Sequence, residues 1–175
     1  MSDLYDRIVL ERGGFEKLLA RIPGFRGYLD LAARRAADRQ IRDYVAEGLA
    51  GQLSRLASLQ KRLLEQPGGL RFMSAAESAR TQWQTYHDRV HTAAPGYSGF
   101  FALNKIDADD LEKIYAFDEA QVRYVDQLRD GLDAFEAAIV DAGDVAGAIT
   151  SLESMGREAN EAFRLRDTVL SSVGK

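Results

Sequence analysis

Apolar residues recur along this chain in steps of three and four. Leu111, Ile114, Val122, Val125, Leu128, Leu132, Phe135 and Ile139 form one run, and Asp118 stands at a stripe position inside it. Val145, Ile149, Leu152, Met155, Ala159, Phe163 and Leu170 form a second. Ala33, Ala37, Ile41, Val45, Leu49, Leu53, Leu56 and Leu63 form a third. Such steps return to one side of an α-helix, so each run predicts a helix that buries one face against others.

The breaks between runs are sharp. All three prolines precede a glycine, at Pro23-Gly24, Pro67-Gly68 and Pro95-Gly96, and Gly143-Asp144 adds a fourth boundary. Proline cannot continue a helix, glycine supplies a left-handed turn, and aspartate caps the next helix. Five helical segments are therefore predicted, roughly 3–21, 28–66, 74–93, 107–142 and 144–172. Gly13-Gly14 predicts a kink or a division inside the first. Ser74-Ala75-Ala76-Glu77 reads as a capping box, and Asp107 with Asp109, Asp110 and Glu112 favours the positive end of a helix dipole. At the usual rise, the second and fourth segments would each be about 55 Å long. The expected architecture is all-α. It is an elongated antiparallel bundle with two long helices (about 28–66 and 107–142) and three shorter ones, forming a single domain over 1–175.

Composition agrees. The chain holds 25 Ala and 20 Leu against 9 Val, 7 Ile and 5 Thr, and strand formers are the minority. Hydrophobic residues are 46% of its 175 residues, enough to bury a core. The absence of cysteine excludes disulfides, thiolate metal sites and a cysteine nucleophile. No apolar run approaches the roughly 20 residues of a membrane span. The first twenty residues carry Asp3, Asp6, Glu11 and Glu16 and no apolar stretch of the signal-peptide kind. A cytoplasmic protein without a transmembrane segment is expected.

The net charge of −4 hides a division. Residues 1–89 carry 15 Lys and Arg against 11 Asp and Glu, a net of +4, and residues 90–175 carry the balance, −8. Opposed halves of this kind select each other, within one chain or between copies.

Few residues suggest chemistry. His87 and His91 lie four apart on one helix face, as two imidazoles facing a metal would, with Asp88 between them and Asp118 available from a neighbouring helix. The plainer reading is two polar histidines at a helix end. Asp118, a carboxylate at a core position, needs a partner, for which Tyr115, Tyr86, Arg123 or a histidine could serve, or else access to water. Arg34, Arg35, Arg39 and Arg42 make a basic ridge that would suit a partner or an anionic membrane surface. Asp30, Asp38 and Asp43 beside it argue for ordinary ion pairs, and the acidic chain argues against nucleic acid. Asp107-Ala108-Asp109-Asp110 lacks the glycine and glutamate of a calcium loop, with Glu112 and Asp118 in their places. No phosphate loop, Gly-x-Ser-x-Gly or dinucleotide fingerprint is present, so no cofactor is expected.

Two turns echo each other. Pro23-Gly24-Phe25-Arg26-Gly27-Tyr28 and Pro95-Gly96-Tyr97-Ser98-Gly99-Phe100 share the pattern Pro, Gly, aromatic, variable, Gly, aromatic, and each precedes a long segment. They read as a pair of related binding loops, as the trace of a duplicated helical hairpin, or as separate turns whose aromatics plug the bundle ends. The first of them, Ile22 to Tyr28, followed by Arg34-Arg35-Ala36-Ala37-Asp38-Arg39, resembles the opening of a family of uncharacterised bacterial helical proteins. That resemblance implies a bacterial, non-enzymatic protein and transfers no site residues. The function expected is that of a non-enzymatic helical interaction or scaffold protein, binding a protein partner or itself. The alternative is a bundle that binds a metal or small ligand through the His-x-x-x-His pair.

Overall fold

The computed structural model describes residues 2–28, 31–93 and 106–172, with no side-chain account of 31 and 32. Its described residues form six α-helices and one short 3-10 turn, with no strand among them. The helices are α1 (Asp3–Val9), α2 (Gly14–Arg21), α3 (Leu31–Glu65), α4 (Met73–Thr92), α5 (Ala108–Val140) and α6 (Val145–Ser172). The all-helical expectation therefore holds, and the first predicted segment is two helices. Gly13 separates them by taking a left-handed φ of +75°, a conformation that side chains resist.

Caps form where short acidic or hydroxyl side chains precede a helix. Asp107 accepts from the Asp110 amide at 2.8 Å, and Asp144 from the Gly147 amide at 2.8 Å. The Ser74 capping box does not form. The 3-10 turn Gly69–Phe72 leads into α4 one residue earlier, and Glu77 accepts instead from the Gln60 amide across the hairpin.

α3 and α4 make one antiparallel hairpin, and α5 and α6 another. The hairpins pack with α3 beside α5 and α4 beside α6. Across that seam the helices run parallel: Gly48 faces Val125 and Arg62 reaches Glu136, while Ser78 meets Glu153 and Arg89 meets Asn160. Antiparallel pairing thus holds within each hairpin and not between them. The stripes meet in a core containing Leu49, Leu56, Leu63, Trp83, Leu128, Leu132, Phe135, Ile149 and Leu152, all buried. The Trp83 indole N–H donates to the Leu152 carbonyl at 2.8 Å, so the largest core side chain leaves no polar atom unpaired.

α1 and α2 form an arm laid over α5, with α1 also reaching α6. The arm returns to the start of α3 through the first Pro-Gly turn. There Pro23 begins the turn, Gly24 and Gly27 have φ of +74°, and Phe25 and Tyr28 are buried. Tyr28 stacks on Tyr115 with ring centroids 5.3 Å apart, and its amide donates to the Tyr115 hydroxyl at 2.8 Å. This turn plugs one end of the bundle. Its echo, with Pro95, Gly96, Tyr97, Gly99 and Phe100, lies outside the described residues.

Candidate functional site

Under the Tyr28 plug lies a buried cluster of charge drawn from α3, α5 and α6. Arg166 of α6 is 2% exposed and bridges two carboxylates. Its Nε donates to Asp118 Oδ1 at 2.5 Å and one Nη to Asp38 Oδ1 at 2.8 Å. The Tyr28 hydroxyl donates to the other oxygen of Asp118 at 2.6 Å. Arg42 Nε donates to the other oxygen of Asp38 at 2.9 Å, and its Nη1 donates to the Ala93 carbonyl at 2.8 Å. The Nε of Arg34 donates to the Tyr28 carbonyl at 3.3 Å. Two carboxylates and two guanidiniums thus share a site that joins both hairpins to the turn.

Burial dominates the electrostatics. It raises the Asp118 carboxyl above its ordinary range, against the opposing pull of Arg166 and the Tyr28 hydrogen bond. Burial, then the Asp118 charge, pushes the Tyr28 phenol far up, so it stays a donor. Burial works against the Arg166 charge, but Asp118, Tyr28 and Asp38 outweigh it and hold the guanidinium ionised. The arrangement is a clamp: each group is desolvated and none is cheap to lose.

Asp118 therefore finds its partners in Arg166 and Tyr28 rather than in Tyr115, Tyr86, Arg123 or a histidine. The signal for Arg166 in the sequence is its register. The α6 stripe steps from Phe163 to Leu170, and position 166 fills that gap.

The candidate metal ligands do not assemble. His87 and His91 stack with centroids 5.8 Å apart and planes 9° apart. The Nδ1 of His87 sits 2.9 Å from Asp88 Oδ1, which also accepts from the Gln84 amide at 2.8 Å. The hydrogen bond from His87, then that from Gln84, lowers the Asp88 carboxyl below its ordinary range. Asp118 belongs to the clamp, and among the described residues no group of three or more His, Asp or Glu could hold a metal ion.

The basic ridge divides. Arg34 and Arg42 turn inward to the plug and the clamp, while Arg35 and Arg39 are exposed.

At the opposite end, the two hairpin turns leave an apolar groove of about 290 Å³ between them. Leu63, Pro67, Phe72, Ala138, Ile139 and Val145 line it. Around the same turns Leu64, Leu70 and Val140 stand 50%, 73% and 60% exposed. The guanidinium of Arg71 lies 4.6 Å over the Phe72 ring and meets no carboxylate among the described residues. Glu65 and Asp141 are exposed nearby, and neither makes an ion pair within the described residues. Neither the groove nor its apolar rim was legible as a site from the periodicity.

No family model, curated protein or solved structure matches this chain. No helix among the described residues is long and apolar enough to cross a membrane.

Proposed function

We propose that the chain is a non-enzymatic interaction module of the cytoplasm, a rod-like bundle that self-associates through its turn end. The observation that carries this reading is the concentration of exposed Leu64, Leu70 and Val140 around an apolar groove. Exposed apolar side chains grouped beside a groove favour a binding surface over random scatter. The same patch offers protruding side chains and a groove to receive them, which is what a two-fold contact between identical chains requires. Its charges are complementary as well: among the described residues Arg71 has no acidic partner, and Glu65 and Asp141 have no basic one. In a two-fold pair each copy's Arg71 would find the other's carboxylates.

Light scattering over a concentration series tests this. Dimer mass should appear as concentration rises, and Leu70→Asp should return the chain to monomer with its helical circular dichroism unchanged. A chain that stays monomeric throughout, or a Leu70→Asp variant that dimerises like the parent, would sink the proposal.

A further inference from the structure

Away from the turn end, α4 and α6 approach closely. A Cβ on Gly156 would lie only 2.8 Å from the Cβ of Gln82, so this crossing needs glycine. The close approach creates a crevice of about 330 Å³. It is lined by Gln82, Thr85, Arg89, Arg157 and Arg164, with Asn160 beneath and Glu161 beside them.

The setting of Arg89 is unusual. Its guanidinium donates to Asn160 Oδ1 at 3.1 Å and makes no ion pair within the described residues. Asn160 is only 8% exposed, and its amide is fully committed to the Gln82 and Gly156 carbonyls, at 2.8 and 2.9 Å. A buried neutral acceptor thus orients the cation without cancelling its charge. Arg157 and Arg164, two turns apart on α6, are held by Glu153 and Glu161 in exposed pairs of the i,i+4 and i,i+3 kind. Exposed pairs of this type contribute little, so both guanidiniums can turn to a better acceptor. Three guanidinium forks, a primary amide and a hydroxyl then face one opening. That is donor chemistry for a doubly charged tetrahedral oxyanion, since arginine binds phosphate oxygens in bidentate fashion.

We propose that this crevice binds the phosphate group of a small phosphorylated ligand, with Arg89 as the fixed donor and Arg157 and Arg164 closing from α6. The site is independent of the turn-end interface, so each can fail without the other.

The test is a titration with inorganic phosphate at constant ionic strength, against chloride, followed by amide chemical shifts. Saturable shifts should map to α4 and α6 around Gln82, Arg89 and Asn160. Arg89→Gln and Arg164→Gln, both surface changes, should each weaken binding about tenfold, the loss expected for one charge-assisted contact. Glu161→Gln should tighten it, because a competing carboxylate is removed. Arg129→Gln, on the exposed face of α5, should change nothing. A phosphate response no different from chloride, or one that survives Arg89→Gln and Arg164→Gln, overturns the proposal. So does binding confined to phosphatidylglycerol vesicles without binding of free phosphate, which would make the surface a membrane contact instead.

Discussion

Arg166 is the side chain on which the closed end of the bundle depends. It bonds both Asp38 and Asp118, and all three groups are at most 2% exposed. Removing it leaves buried Asp118 with the Tyr28 hydroxyl but no guanidinium and Asp38 with Arg42 alone, so Arg166→Met should cost about 3–5 kcal/mol in chemical denaturation. Neutralising all three, as Arg166→Met with Asp38→Asn and Asp118→Asn, should recover most of that loss, because the three most deeply buried charges are removed together. A triple variant as unstable as the single one would show that Arg166 matters for packing rather than charge. Asp118 also sets a pH dependence. Burial raises its carboxyl in the folded chain, so between the ordinary and the raised value the native state binds a proton more readily than the unfolded chain does. Its contribution to stability is therefore complete below the ordinary carboxyl range and is lost as pH rises through the raised value. Asp118→Asn should flatten that slope relative to the parent in denaturant midpoints measured across acid to neutral pH. An unchanged slope would place the titration elsewhere.

At the scale of the helix, the apolar stripes were legible because burial has the helix's own period. The long segments fall within a few residues of α3 and α5. The capping box at Ser74 was misleading, since a 3-10 turn can feed a helix directly and leave Glu77 to bond elsewhere. Asp118 was legible as a polar residue in a core stripe, but its partner was not. Arg166 lies 48 positions away on another helix, and periodicity within one element says nothing about which faces meet. The close approach of the arm to α5 was equally hidden. Gly14 reads as a weak helix residue, yet a Cβ there would stand 2.6 Å from the Tyr115 carbonyl oxygen, which backbone cannot yield. Gly14→Ala should accordingly destabilise by about 1–3 kcal/mol and loosen amide protection in α1 and α2 first. Gly51, within α3, has nothing within 4 Å of such a Cβ. Gly51→Ala should stabilise by about 0.5–1 kcal/mol through helix propensity alone. Equal effects of the two changes would mean that the arm does not bear on α5 as described.

Across the whole molecule, ion pairs within the chain join part of the basic first half to the acidic second. Arg7 meets Glu158, Arg12 meets Glu112 and Arg21 meets Asp126. Arg55 meets Asp133 and Glu136, and Arg62 meets Glu136 as well. These pairs stitch the arm and α3 to the acidic hairpin and favour the parallel seam between α3 and α5 over its alternatives. They are mostly exposed, so salt should screen them. Arg55→Glu with Arg62→Glu sets like charges across that seam and should lower the melting temperature most at low salt, with the gap to the parent closing toward about 1 M NaCl. Adding Asp133→Lys and Glu136→Lys restores opposite signs and should recover the melting temperature. A deficit independent of salt, or one the reversed acids fail to repair, would mean that the seam is held by packing alone. The proposed dimerisation through Leu64, Leu70 and Val140 would bury apolar surface and should persist at the salt that silences the seam. One salt series, read by melting temperature and by mass, therefore separates the force that pairs the halves from the force proposed to pair the chains.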